Sequence, residues 1–289
     1  MRFAFMIGIL ACGLSAQDFT LPTPKGDLIV RVSSNSFYLS SFFTMKGTIT
    51  NTTNWDFKYV TMRVAFYDSG GREMTELCGE YQCITPAQDI PAGGTVPLTS
   101  DPGPNTSANT LNPPRASSYK LFFNEGFYRF KWAFSLIKPT PSDTLSFDDE
   151  ALSVTFFLDP DGISCNLRNK TNDPITINWN NVSWVDESSI AHKLIHTGIR
   201  LADKEAPQTP TVIPPLARIE ETMFPAEYVK STARGWSKGS MWPVLGSLSE
   251  DQSALKRFEE STSSVFMPLE VHGKTKNYNF VFKVTSFEY

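Results

Sequence analysis

The chain has few of the residues that most chemistry needs. Three histidines serve 289 residues, so acid–base or metal chemistry has few imidazoles to draw on. No serine stands in a G-x-S-x-G elbow, no glycine-rich phosphate loop occurs, and no cysteine pair has Cys-x-x-Cys metal spacing. Lys and Arg number 26 against 30 Asp and Glu, a net charge of −4, and they form no basic block. That argues against a nucleic-acid partner. Long apolar runs are missing too: Phe3 to Leu14 is the longest, well below the roughly 18 residues of a membrane span. These gaps leave no catalytic set, metal site or cofactor to assign. They point to a non-enzymatic protein, with a hydrolase or metal-dependent enzyme on a sandwich scaffold as the less favoured alternative.

Met1-Arg2, the apolar run and then Ser15-Ala16 have the layout of a secretory signal. Residues 1–16 are read as the signal peptide, with cleavage between Ala16 and Gln17. Ile9-Leu10-Ala11-Cys12 supports an alternative, lipidation at Cys12 after cleavage, and only then is a membrane a partner. Either route leads to an extracytoplasmic protein, secreted, periplasmic or anchored as a lipoprotein. There Cys78 and Cys83 either close a small disulfide loop or remain two thiols, and Cys165, inside an alternating run, is an inert buried thiol.

What is abundant is Phe, Pro, Thr, Ser and Asn, the composition of many short strands joined by polar turns. Phe57 to Asp68 (FKYVTMRVAFYD) alternates as a strand, with Val60, Met62, Val64 and Phe66 on one face. Asp27 to Ser33 and Phe42 to Asn51 precede it, and Ser69-Gly70-Gly71 and Ile90 to Gly94 are turns. Asp101 to Ser118, rich in Pro and Asn, is irregular. Tyr119 to Leu136 resumes alternation with a hairpin turn at Asn124-Glu125-Gly126. Lys138 to Ser146 (KPTPSDTLS) has linker composition. The expected domains are therefore residues 17–137, a linker at 138–146, and residues 147–289 with an insertion at 232–264. The fold class is all-β: two immunoglobulin or fibronectin-III-like β-sandwiches in tandem.

Gly47, Asn51, Tyr67, Asp68 and Gly70 or Gly71 stand in the order KGTITN, a polar turn, VTMRVAFYDSGGREM, then IPAGG. This order resembles the FxLYD type of bacterial extracytoplasmic immunoglobulin-like domain, over about Leu28 to Ser100. Val64 and Phe66 stand where the name-giving Phe and Leu belong. The resemblance implies a β-sandwich outside the cytoplasm and brings no catalytic residues.

In the second half, Ile175, Ile177 and Trp179 alternate as a strand, and His192 to Gly198 form a returning strand after a turn at Asp186 to Ser189. Glu250 to Glu260 is the one expected helix, capped by Ser249, with Leu255 and Phe258 on a shared face. His192 and His196 have chelating spacing on a helix, but on a strand lie about 13 Å apart. Asp148-Asp149-Glu150 and Glu220-Glu221 read as solvated strand rims, and Asp159 to Gly162 as a turn. Asn51, Asn105, Asn169 and Asn181 stand in N-x-[ST] sequons. Arg234, Trp236, Lys238, Met241 and Trp242 lie in the insertion. They are either a contact surface for a protein or cell-envelope component, or a plug for the end of the sandwich.

Overall fold

The structure is a computed structural model that describes residues 17–38, 42–73, 83–84, 86, 88–99, 117–248 and 252–288. The described residues are mostly strand, and their helical segments are short 3₁₀ turns. The contacts divide the chain into two compact units, residues 1–129 with 245–250, and residues 130–244 with 251–289.

In the first unit β1 (Gln17–Thr23), β2 (Gly26–Tyr38), β3 (Phe42–Asn51), β4 (Phe57–Tyr67), β5 (Cys83–Ile84), β6 (Thr95–Thr99) and β7 (Ser118–Arg129) are joined by the late segment Leu245–Ser247. They form two four-stranded sheets, in the orders β1-β2-β3-β6 and Leu245–Ser247, β7, β4, β5. Leu28, Val30, Val32, Ile49 and Leu98 line the buried face of the first sheet, and Val60, Met62, Val64 and Phe66 that of the second. Alternation produces these faces: every second side chain of a strand points the same way. Phe57 joins the buried set out of phase because the β4–β7 register shifts between Lys58 and Thr61, with Tyr59 at φ 51°. The same irregularity absorbs Asn124 to Gly126. Instead of a hairpin turn, these residues lie within the continuous strand β7.

The second unit contains β8 (Lys131–Lys138), β9 (Ser146–Asp148), β10 (Leu152–Asp159), β11 (Gly162–Asn169), β12 (Ile175–Ile177), β13 (Ser183–Val185), β14 (Ala191–His196), β15 (Thr211–Ile213), β16 (Arg218–Pro225), β17 (Val229–Thr232) and β18 (Gly235–Lys238). After Leu245–Ser247, which is β19, come β20 (Thr262–Val271) and β21 (Lys274–Glu288). The contacts divide the two units at Arg129/Phe130, ahead of the 138–146 stretch. Strand β8 pairs with β21, and Leu136 and Ser142 exchange two backbone hydrogen bonds of 2.9 and 2.8 Å. The proline-rich stretch is a turn inside the second unit, because the chain before it is already committed to that unit's sheet. The expected helix at Glu250–Glu260 is a six-residue 3₁₀ turn, Ser253–Phe258, with no side-chain cap. Phe258 alone is buried in it, too small an apolar face to hold a longer α-helix. Ser249 lies outside the described residues.

One corner is built twice. At the end of β3, Asn51 is buried. Its Nδ2 donates to the carbonyls of Trp55 (2.6 Å), Ile90 (3.3 Å) and Pro91 (3.1 Å), and its Oδ1 accepts from Thr53 N and Oγ1 at 3.0 and 2.8 Å. At the end of β11, buried Asn169 donates to the carbonyls of Asp173 (2.8 Å), Ile213 (3.1 Å) and Pro214 (3.1 Å) and accepts from Thr171 N and Oγ1 at 2.8 and 2.9 Å. The backbone partners match as well: Asn51 N donates to Gly94 O, and Asn169 N to Ala217 O, both at 2.9 Å. Asn51 sits opposite Leu28, and Asn169 opposite Leu152. The strand orders β1-β2-β3-β6 and β9-β10-β11-β16 correspond.

Candidate functional site

Strand β14 departs from this shared plan. Its first half, Ala191 to Lys193, pairs with β13, and its second half, Leu194 to His196, pairs with β16. The strand changes sheets midway and joins them along one edge, a known way of making a corner. Both of its histidines are engaged there. Nε2 of His192 lies 3.1 Å from Asp186 Oδ2, its Nδ1 lies 3.6 Å from Glu227 Oε2, and its ring stacks on Trp184. Asp186 is held in turn by the Ser188 and Ile190 amides, at 2.9 and 2.8 Å. His196 stacks on Trp179, ring centroids 4.3 Å apart, and its Nδ1 lies 3.3 Å from Glu221 Oε2. The topology brings these carboxylates in; only Asp186 lies near its histidine in sequence.

From the end of β16 the chain makes one 3₁₀ turn, Ala226–Tyr228, and enters the β17–β18 hairpin. The base of the hairpin is tied down from several sides. Lys204 Nζ donates to the carbonyls of Ala226 and Val229, at 2.9 and 2.8 Å. Gly239 N donates to Tyr228 O at 2.9 Å. Burial, together with the charges of Asp186, Glu187 and Glu227, raises the Tyr228 phenol above its ordinary value. Beyond that base, among the described residues, β17 and β18 pair only with each other, and residues 230–240 are all exposed. The tip is closed by Thr232, whose Oγ1 donates to Gly235 O at 2.7 Å and accepts from Arg234 N at 3.3 Å. Gly235 takes φ 116°, which favours glycine there. Trp236 lies opposite Ser231 and is 45% exposed. Lys238 Nζ sits 5.2 Å above the Phe224 ring.

The insertion residues therefore separate. Arg234, Trp236 and Lys238 are on the exposed hairpin, whereas Met241 and Trp242 are 5% and 3% exposed and belong to the core. Trp242 packs against Trp132, Phe134 and Trp184, and Trp132 stacks on Phe287 at 3.9 Å. The exposed and the buried residues are neighbouring halves of one segment.

Burial pushes the Cys165 thiol up to about 12, with the Glu221 charge adding to it, so the thiolate is suppressed. Cys12, Cys78 and the side chain of Cys83 lie outside the described residues, as do the signal segment and most of Asp101 to Ser118. Asp148 pairs with Lys170, and Asp149 and Glu150 with Lys276. Among the described residues, no group of three or more His, Cys, Asp and Glu is placed to hold a metal ion, and no helix is long and apolar enough to cross a membrane. Asn51 and Asn169 spend their amides inside the fold, which closes those two sequons; Asn181 is exposed, and Asn105 lies outside the described residues. No protein-family model matches the chain, and no curated protein matches it.

Proposed function

We propose that this is a secreted or periplasmic, non-enzymatic binding or structural protein of the cell envelope, made of two immunoglobulin-like β-sandwiches. The β17–β18 hairpin carries the reading. It is an exposed two-stranded element with a firmly anchored base and an indole two residues from Arg234 and from Lys238 in the chain. Exposed aromatic and arginine side chains are what contact surfaces favour. His192 and His196 fit the same reading, since each is stacked on a tryptophan and hydrogen-bonded to a carboxylate within the fold. The resemblance to FxLYD-type domains also rests on structural residues. Asn51 builds the corner, and Asp68 Oδ1 caps its turn by accepting from Gly70 N and Arg72 N, both at 2.9 Å.

Fractionation of the native host, with the mass of the recovered chain, tests the proposal. A soluble extracytoplasmic product beginning at Gln17 is the expected result. A product beginning at acylated Cys12 would replace it with a lipid-anchored accessory protein of an envelope complex. A full-length chain retained in the cytoplasm would overturn both.

A further inference from the structure

We infer that the β17–β18 hairpin binds an acidic polysaccharide, with a sugar ring on Trp236 and the sugar's carboxylates at Arg234 and Lys238; this rests on the extracytoplasmic binding role proposed above. Residues 230–240 contain Lys230, Arg234 and Lys238 and no acidic residue, in a chain whose net charge is −4. The hairpin is thus a local cationic site on an otherwise acidic protein, and its complement is an anion. Trp236 and Lys238 are alternate residues of β18, so they share a face and stand about 7 Å apart along the strand. Arg234 stands two residues before Trp236, in the turn at the tip. An exposed indole with a cation two residues to either side in the chain suits a pyranose ring with charged substituents. The residue facing Trp236 across the ladder is Ser231, whose small side chain leaves the indole open. Ser231 also supplies a hydroxyl beside it.

An anionic membrane is the competing occupant, and the composition of the tip disfavours it. Interfacial segments add several apolar side chains to their cations. Residues 230–240 hold no Leu, Ile, Val, Phe or Met, and Trp236 is their only large apolar group. The anchored base also means that the hairpin meets its ligand already ordered, so little conformational entropy is lost on binding.

The test is calorimetric titration of the mature chain with polygalacturonate, with neutral dextran and phosphatidylglycerol vesicles as parallel probes. Polygalacturonate is expected to bind and to weaken as salt rises, and dextran to give no signal. Trp236→Ala should weaken binding about tenfold or more, with an unchanged melting temperature because its side chain is outside the core. Lys238→Gln should weaken binding severalfold and flatten the salt dependence. Polygalacturonate binding that survives Trp236→Ala, no polygalacturonate binding at all, or a preference for the vesicles would each overturn the assignment. Those failures, with the chain still found outside the cytoplasm, would remove the ligand and leave the binding role standing; a cytoplasmic chain would remove the role itself.

Discussion

The Asn51 and Asn169 corners use the same atoms in the same order, yet the strands beyond them differ. After Asn51 the chain runs into β4, eleven residues long, which pairs with β5 and β7. After Asn169 the corresponding stretch is broken into β12, a 3₁₀ turn at Trp179–Asn181, and β13. The break admits Gln208, whose Nε2 donates to Leu194 O at 2.7 Å and whose backbone N donates to Asn180 Oδ1 at 2.9 Å. It also gives His196 the Trp179 ring to stack on. A buried asparagine that ties three carbonyls to a strand end is a scaffold, and it tolerates rearrangement downstream. The sheet-changing strand, the paired histidines and the exposed hairpin all lie in the unit that departs from the plain arrangement.

The largest expected effect tests whether the two corners are energetically equivalent. Asn51→Ala and Asn169→Ala each remove three hydrogen bonds to carbonyls and leave a threonine amide without its acceptor. With about 1 kcal/mol for each lost hydrogen bond and some recovery by water, each substitution should cost about 3 kcal/mol in chemical denaturation. Similar losses at the two sites would support a repeated scaffold. A near-neutral result at one of them would break the comparison.

A smaller effect is expected one turn of the ladder earlier, where the units differ. Four residues before Asn51 stands Gly47, and four before Asn169 stands Cys165. The β2–β3 register shifts between Val32 and Ser34, opposite Gly47, and a Cβ at Gly47 would lie 2.0 Å from the Arg31 carbonyl oxygen. The β10–β11 register has no such shift, and Cys165 fits there, buried. Gly47→Ala should therefore destabilise by about 1–3 kcal/mol, read as a lower melting temperature, whereas Cys165→Ala should cost less. Equal losses would mean that the bulge does not distinguish the two strands.

Much of the fold was legible in the sequence because strand alternation is a local signal. The Val60 to Phe66 face and the turn at Asp186 to Ser189 can be read directly from periodicity and turn residues. The corners left a trace too: Asn-Thr-Thr-Asn at 51–54 and Asn-Lys-Thr-Asn at 169–172, each followed by an Ile-Pro, with bonds spanning 39 and 44 residues to the isoleucine. Read locally, these are turns and sequons, since nothing in a short window says that an asparagine side chain will reach that far. The candidate site was half legible for the same reason. Composition marked Arg234, Trp236 and Lys238, but Met241 and Trp242 could be assigned to the core only once β8 and β21 had brought Trp132 and Phe287 beside that segment. The missed elements, β14 as a sheet-changing strand and Lys204 as the clamp under the hairpin, depend on contacts between distant segments.

The smallest expected effect concerns the turn that opens each of the paired sheets. In the first unit the β1–β2 turn presents Lys25, whose Nζ lies 4.6 Å from the Trp55 and Tyr128 ring centroids. In the second, the β9–β10 turn presents Asp149, which accepts from Lys276 Nζ at 2.8 Å, Tyr278 Oη at 2.9 Å, and the Ala151 and Leu152 amides at 2.8 and 2.9 Å. Burial works against the Asp149 carboxylate, but those hydrogen bonds outweigh it and hold the group below its ordinary 3.8. A carboxylate with a lowered folded pKa adds stability that is complete above the unfolded value and is lost as pH falls through the folded one. Asp149→Asn should thus cost about 1 kcal/mol at neutral pH, and the gap from the wild type should close as the pH drops below about 4. Lys25→Met, which removes a cation and no carboxylate, should leave the acid limb of the wild-type curve in place. Melting temperatures of the three proteins across acidic pH would decide it: an acid limb lost in Lys25→Met and kept in Asp149→Asn would reverse the assignment of acid sensitivity between the units.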